Sequence, residues 1–135
     1  MYARYNNVMK NLHNKEIGKL GEEYAKNYLS THNYVIVKQN HYGKYGEIDI
    51  VAIENTIPKQ IVFIEVKTRT SDKFGSPDEA LTKAKIERMI KSAILFIKEN
   101  NDFRSFIWRV DLIGILLGKG NFPEEITHIK NIPDG

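Results

Sequence analysis

The stretch GEIDIVAIENTIPKQIVFIEVK, residues 46–67, decides the fold, because it contains two strand patterns separated by a short turn. Residues 46–53 alternate between two sets of side chains, which predicts a β-strand. Residues 61–67 are dense in β-branched side chains, which are also typical of a strand. Between them, Pro58 lies in a polar segment with turn chemistry. We therefore expect a β-hairpin with a short loop.

The period of two in a strand assigns each side chain of the hairpin to a face. In the first strand one face is expected to carry Glu47, Asp49 and Val51, and the other Ile48, Ile50 and Ala52. In the second strand one face is expected to carry Ile61, Phe63, Glu65 and Lys67, and the other Val62, Ile64 and Val66. Glu65 and Lys67 then project side by side from an apolar strand, where charges are costly unless they are paired or bound to an ion. This pattern predicts either a functional site or a simple salt bridge at the sheet edge.

A second carboxylate favours the functional site. Asp49 precedes Glu65 by 16 residues on the neighbouring strand, and the hairpin is expected to bring the two carboxylates together. Their repulsion is usually relieved by a hard cation such as Mg²⁺ or Mn²⁺, which takes oxygen ligands and activates water. Beside them, the ammonium of Lys67 would stabilise negative charge at phosphorus or help to orient and deprotonate the water. The arrangement is typical of phosphodiester hydrolysis.

The remaining patterns predict helices and strands around this hairpin. Residues 1–13 show no period and are expected to be a mobile extension, so that the domain comprises residues 14–135. The predicted elements are a helix from the N-cap Asn14 to residues 31–33, a short strand at 34–38, a long helix beginning at Ser76-Pro77-Asp78-Glu79 and continuing through Leu81 to Asn100, and strands at 106–117 and 126–132. This order predicts an α/β fold in which helices flank a mixed sheet.

Composition excludes several classes of protein. A chain of 135 residues with 41% hydrophobic residues is expected to form a single globular domain. It has no cysteine, which excludes disulfides, thiolate nucleophiles and cysteine-based zinc sites. We find no apolar run of the ~18 residues that would span a bilayer and no signal-peptide pattern at the N-terminus. A cytoplasmic location without membrane association is therefore expected.

Charge is unevenly distributed along the chain. The net charge of +3 is mild, but residues 1–46 carry 7 basic and 3 acidic side chains, and residues 66–109 carry 10 and 6. The intervening residues 47–65 carry 4 acidic side chains and 1 basic one. Basic flanks of this kind would hold an anionic polymer while a divalent cation binds the acids, although such fluctuations also arise by chance.

The sequence also resembles a known family. Gly46-Glu47-Ile48-Asp49, followed by Phe63-Ile64-Glu65-Val66-Lys67-Thr68-Arg69, is similar to the PD-(D/E)xK nuclease superfamily, and within it to the uncharacterised YraN family. Further matches are Gly18-Lys19-Leu20-Gly21-Glu22 with Ala25 and Leu29, Phe74-Gly75-Ser76-Pro77, Lys85 with Arg88, and Val110-Asp111-Leu112. The resemblance spans about residues 14–117 and implies a restriction-endonuclease-like core, which archaeal Holliday-junction resolvases also use. Ile48 replaces the proline that names the superfamily, a replacement that the YraN and resolvase branches also tolerate.

The resemblance implies roles for individual residues. Asp49 and Glu65 would be metal ligands, Lys67 the catalytic lysine, and Glu22 a further acid near the metal, with assistance from Glu47. Helical periodicity alone does not choose between Glu22 and its neighbour Glu23. The implied function is a Mg²⁺- or Mn²⁺-dependent endonuclease acting on DNA, including branched or damaged DNA. The alternatives are a catalytically inactive nucleic-acid-binding or repair-accessory module and an interaction protein in which these charges form only salt bridges.

Other residues carry weaker indications. The partner of such a nuclease would be DNA, with a homodimer as a further option. Lys44 lies in a stretch that combines bases with aromatic residues, and Lys85 and Arg88 lie three residues apart on the second helix. Each of these groups is suited either to nucleic-acid contact or to a plain solvated surface. The four histidines, His13, His32, His41 and His128, lack ligand spacing and are expected at the surface, and Trp108 and Arg109 are expected to be strand packing and an edge charge.

Overall fold

In the computed structural model, which describes residues 2–70 and 81–132, two helices lie on opposite faces of one five-stranded sheet. The elements are α1 (Tyr2–Ser30), β1 (Tyr34–Gly43), β2 (Gly46–Glu54), β3 (Gln60–Arg69), α2 (Lys83–Glu99), β4 (Ile107–Leu117) and β5 (Pro123–Ile129). The spatial order of the strands is β1-β2-β3-β4-β5. The β3–β4 pair is parallel and the other pairs are antiparallel. The predicted hairpin and mixed sheet are confirmed, and the α+β fold fits a restriction-endonuclease-like core.

The two faces of the sheet are buried by different helices. Side chains of α1 pack on one face around Ala25 and Leu29, and those of α2 pack on the other around Met89, Ala93 and Phe96. In β3 the expected alternation is confirmed, since its odd-numbered apolar residues join the α2 cluster and its even-numbered ones the α1 cluster. Because β3 is buried on both faces, it is the central strand from which the site is built. None of the helices in the described ranges is long and apolar enough to cross a membrane.

Helix α1 begins at Tyr2, not at Asn14 as the sequence predicts. The side chains of residues 6–16 are exposed, so this part of the helix buries no stripe that a hydrophobic period would reveal. Strand β1 likewise continues to Gly43, beyond the predicted end at residue 38. The prediction missed its second half because this part lies at the sheet edge and carries polar side chains. The residues around His41 and Tyr42 are therefore strand and not loop.

Helix α2 is shorter than predicted. It begins at Lys83, where the hydroxyl of the N-cap Thr82 accepts a hydrogen bond from the Lys85 backbone N–H at 3.1 Å. Leu81 precedes the helix and was wrongly included in it, although its side chain still packs against the α2 cluster. The predicted start at Ser76-Pro77-Asp78-Glu79 lies outside the described residues.

A buried ionic network lies on the α1 side of the sheet, at the end where the turn joins β2 to β3. The guanidinium of Arg109 donates to Asp111 at 3.0 Å, to Glu54 at 2.6 Å and to the hydroxyl of Tyr34 at 2.8 Å. His128 Nε2 lies 2.8 Å from Asp111, whose side chain is fully buried. The prediction of an edge charge at Arg109 was wrong, because its guanidinium is buried and pairs with two carboxylates, Asp111 two residues later on β4 and Glu54 at the end of β2.

The expectation that all four histidines lie at the surface was also wrong. The side chain of His128 is only 6% exposed and its Nδ1 lies 3.1 Å from the hydroxyl of Tyr28 on α1. His41 is partly buried, and its ring packs edge-on against Phe96 with centroids 5.1 Å apart. Both histidines are on edge strands of the sheet, on a face that a helix covers. These strands carry many polar side chains, so their sequence does not show which face is buried.

Candidate active site

The site forms where β2 and β3 separate. Their backbone pairing runs from Glu54–Gln60 to Ile50–Ile64 and goes no further. One residue beyond, the carboxylate of Asp49 accepts a hydrogen bond from the Val66 backbone N–H at 2.7 Å. The side chain thus takes the place of the missing strand partner and is held beside Glu65.

This separation also breaks the expected alternation in β2. Ile48 packs with Val51 in the α2 cluster, whereas Ile50 and Ala52 pack in the α1 cluster. The prediction that Ile48 shares a face with Ile50 and Ala52 was therefore wrong. The side chains of β2 therefore change face between Ile48 and Ile50, at the point where the strand stops pairing with β3 and remains paired with β1.

Three carboxylates meet at this point. One carboxylate oxygen each from Glu22, Glu47 and Asp49 lies within 4.8 Å of the others. Glu22 comes from α1 and is partly buried, and Glu47 comes from β2 and is exposed. The structure therefore selects Glu22 over Glu23, which periodicity alone did not, and it gives Glu47 a place in the cluster.

A close approach of α1 to β3 places Glu22 there. A Cβ built on Gly21 would lie 1.8 Å from Oγ1 of Thr68, which means that only glycine fits at this crossing. A Cβ on Gly18, one turn earlier on the same helix, would meet nothing within 4 Å. Gly21 therefore lets the helix backbone rest on the end of β3, and the next residue reaches the acidic cluster.

Glu65 lies outside that group of three and has a cationic partner. Its Oε1 is 3.0 Å from Nζ of Lys85 on α2, and the side chain of Glu65 is 15% exposed. Asp49 and Glu65 nevertheless border the same two cavities. The larger, of about 660 Å³, lies on the α1 side and is also lined by Glu22 and Lys67. We call these spaces the α1-side and α2-side cavities.

The α2-side cavity, of about 270 Å³, contains the predicted cations of the second helix. Lys85 and Arg88 both line it, together with Tyr45 from the β1–β2 turn. Lys44 is exposed in the same turn, with Nζ 5.5 Å from the centroid of the Tyr45 ring. Lys85, which is partly buried, and Arg88, which is exposed, therefore both border the site.

The α1-side cavity includes residues that the sequence did not indicate. Thr68, Arg69, His13 and Asn14 line it alongside Lys67. The signal for Thr68 and Arg69 was their place directly after Glu65-Val66-Lys67 on the same strand. His13 was assigned to the extension and Asn14 to the N-cap of the first helix, so no pattern in the sequence indicated that either lines a cavity.

Burial and mutual repulsion perturb these acids strongly. Burial, reinforced by the carboxylate of Glu65, raises the pKa of Asp49 to about 8, against the opposing effect of the Val66 N–H. Burial also raises the pKa of Glu22, and the charges of Glu47 and Glu65 act in the same direction. The raised pKa of Asp49 favours its neutral form, and the ammonium of Lys85 compensates the charge of Glu65 beside it.

The donor set fits a hard divalent cation. The clustered atoms are carboxylate oxygens, which Mg²⁺ and Mn²⁺ prefer, and no sulfur or imidazole ligand is among the three. Asp49 keeps one oxygen on the Val66 N–H, and this bond fixes the carboxylate before a cation arrives. Because metal binding requires ionised carboxylates, it would release the proton held by Asp49.

Comparison with known proteins gives a consistent family. The family model described as "Uncharacterised protein family UPF0102" matches residues 21–115. A UPF0102 protein from Syntrophomonas wolfei subsp. wolfei is 42% identical over 118 residues, which cover 87% of this chain and 97% of the relative. One from Caldanaerobacter subterraneus subsp. tengcongensis is 40% identical over 124 residues, 91% of this chain and 98% of the relative. One from Clostridium botulinum strain Loch Maree is 40% identical over 118 residues, 87% and 94% of the two chains.

Proposed function

The chain belongs to the uncharacterised protein family UPF0102, the YraN family, and we propose that it is a metal-dependent endonuclease that hydrolyses phosphodiester bonds in DNA. The observation that carries the proposal is the meeting of Glu22, Glu47 and Asp49 within 4.8 Å, at the border of a cavity that Glu65 and Lys67 also line. Without a cation, the repulsion between these carboxylates would destabilise the folded state, whereas a bound divalent cation would neutralise it.

Each side chain has a part in the proposed chemistry. Asp49 and Glu65 would hold Mg²⁺ or Mn²⁺, with Glu22 and Glu47 as further oxygen ligands. The bound cation would supply Lewis-acid polarisation of a phosphate oxygen and a water of lowered pKa. Lys67 would donate to the phosphate and stabilise the charge that develops on it. Lys85 would give up its ion pair with Glu65 and turn to the substrate.

Basic side chains around the acids support a polyanionic substrate. Lys85 and Arg88 line the α2-side cavity, while Lys67 and Arg69 line the α1-side cavity. Basic side chains on both sides of the acidic cluster suit a chain of phosphates that crosses the cluster. A small phosphomonoester would need only one of the two sides.

A DNA-binding accessory module without catalysis is the alternative. The same basic groups favour it, but it gives no reason for Asp49 to be buried beside three other acids. An interaction protein held by salt bridges is less favoured, because Glu65 is paired with Lys85, whereas the carboxylate of Asp49 accepts its hydrogen bond from a backbone N–H.

The deciding experiment measures cleavage and metal binding on the same preparations. Four-way-junction, duplex and single-stranded DNA are incubated with Mn²⁺, with Mg²⁺ or with a chelator, and Mn²⁺ binding is measured by calorimetry. Wild-type protein is expected to cut at least one substrate only with metal. Asp49→Asn and Glu22→Gln are expected to lose Mn²⁺ affinity and cleavage, while Glu23→Gln, which changes the exposed neighbouring acid, keeps both.

Each alternative has its own outcome. DNA binding that is independent of metal, with no cleavage of any substrate, would establish the accessory module. Absence of both metal and DNA binding would leave only the salt-bridge explanation. Cleavage by Asp49→Asn at the wild-type rate would remove the proposed metal site from the reaction.

A further inference from the structure

We propose that the α2-side cavity is a subsite for one nucleotide of an unpaired DNA strand, whose base stacks on the ring of Tyr45. The inference rests on the proposed function, because this cavity shares Asp49 and Glu65 with the candidate metal centre. It adds the class of substrate, namely DNA that is single-stranded next to the scissile phosphate.

The position of Tyr45 makes it the aromatic wall of this cavity. It lies in the turn between β1 and β2, and it is partly exposed. The same cavity is lined by Glu47 and Asp49 and, on the opposite side, by Lys85 and Arg88 of α2. A group that stacks on Tyr45 would therefore lie directly beside the acidic cluster.

The ring of Tyr45 has two exposed lysine ammonium groups within about 6 Å of its centroid. Nζ of Lys44 lies 5.5 Å and Nζ of Lys91 5.8 Å from its centroid, and both lysines are exposed. Cation–π contacts at such distances and exposure are weak. An incoming base would displace an ammonium group from the ring, and the freed ammonium would then be available for a neighbouring phosphate.

The combination of groups favours an unpaired strand over a duplex. Proteins that bind single strands pair a basic groove with aromatic rings on which bases stack, and every base offers such a face. In a duplex the bases are stacked on one another and their faces are covered. The cavity of about 270 Å³ is also far too small to admit a duplex.

The test measures binding without metal, so that it is separate from cleavage. A labelled twelve-nucleotide oligothymidylate, the matching duplex, and an abasic strand of the same length are titrated against the full chain by fluorescence anisotropy. Tyr45→Ala is expected to weaken oligothymidylate binding about tenfold and duplex binding little, since stacking on one ring is worth roughly that factor. Tyr45→Trp is expected to restore the affinity.

Matched controls separate the subsite from general surface effects. Tyr42→Ala removes a tyrosine that is 74% exposed on the neighbouring strand β1, and it is expected to bind as wild type does. Lys91→Ala is expected to reduce the slope of log affinity against log salt by about 0.7, the value for one contact with a single-stranded phosphate. Lys98→Ala, an exposed lysine two turns later on α2, is expected to leave the slope unchanged.

Four results would overturn the inference. They are equal binding of the abasic strand and oligothymidylate, equal losses for strand and duplex in Tyr45→Ala, displacement of oligothymidylate by an equally charged polyglutamate peptide at the same concentration, and failure to bind any DNA. A Tyr45-dependent affinity in a protein that never cuts DNA would refute the nuclease and keep the subsite. Metal-dependent cleavage with unchanged binding by Tyr45→Ala would refute the subsite and keep the nuclease.

Discussion

Gly21 of α1 and Thr68 of β3 approach so closely that a Cβ on the glycine would lie 1.8 Å from the threonine hydroxyl oxygen. This crossing holds the helix against the end of the central strand, and the residue after the glycine belongs to the acidic cluster. The packing of the fold and the assembly of the site therefore meet at one contact.

Gly21→Ala is expected to lower the free energy of unfolding by about 1–3 kcal/mol, because the added methyl group overpacks the crossing. It should also weaken Mn²⁺ binding by moving Glu22. Urea denaturation and calorimetry measure the two effects. Gly18→Ala is the control, since its Cβ meets nothing within 4 Å and alanine in a helix stabilises by about 0.5–1 kcal/mol. Equal stability changes in the two variants would refute the steric argument.

Lys67→Ala is expected to slow DNA cleavage by about 10²- to 10³-fold and to leave DNA affinity nearly unchanged. The ammonium acts on charge that develops during the reaction, so its removal affects the transition state more than the bound state. Single-turnover cleavage and binding are measured on one preparation. A variant with a lower melting temperature that cuts at the wild-type rate would make Lys67 a salt-bridge residue only.

Asp49→Asn is expected to raise the melting temperature near pH 8 when no divalent metal is present. Burial and Glu65 raise the pKa of Asp49 to about 8, so between its ordinary pKa of 3.8 and pH 8 the folded state binds more protons than the unfolded one. Stability of the wild type therefore falls as pH rises through this window. Asparagine keeps an acceptor for the Val66 N–H and carries no charge.

Thermal melts from pH 3 to pH 9 test this expectation. The difference between Asp49→Asn and wild type should grow from about pH 4 to pH 8, whereas Asp102→Asn, at an exposed site, should show no such trend. Saturating Mn²⁺ should stabilise the wild type alone. A variant that is less stable than the wild type at every pH would show that Asp49 is a favourably ionised residue.

Asp111→Asn is expected to cost about 3–5 kcal/mol, because it removes the fully buried one of the two carboxylate partners of the Arg109 guanidinium and leaves only Glu54. Burial would raise the pKa of Asp111, but hydrogen bonds from His128, Arg109 and the backbone of Asn131 lower it below 3.8. Its contribution to stability is thus complete above about pH 4 and is lost in more acidic solution. Urea denaturation of Asp111→Asn and of the exposed Asp102→Asn at pH 7 and pH 3 measures both effects; equal losses would refute the role.

The strands and the acidic pair were predictable because their pattern is local. Alternation located β3 and its faces, and the hairpin followed from the turn at Pro58. The face of Ile48 was not predictable, since it depends on where β2 leaves β3. Arg109 was missed for a similar reason: its partner Glu54 lies on another strand and meets it only once the sheet has formed.

Because β2 and β3 stop pairing before they reach the site, the backbones on its two sides are held with different firmness. Glu65 and Lys67 belong to a strand that continues to pair with β4 as far as Arg69, so their backbone is fixed in the middle of the sheet. Among the described strands, Glu47 belongs to a ribbon whose backbone pairs at that level with β1 only, and a two-stranded ribbon alone has little stability. In the proposed nuclease, the side of the site that carries Glu65 and Lys67 would consequently be stiff, while the side that carries Glu47 would be more compliant.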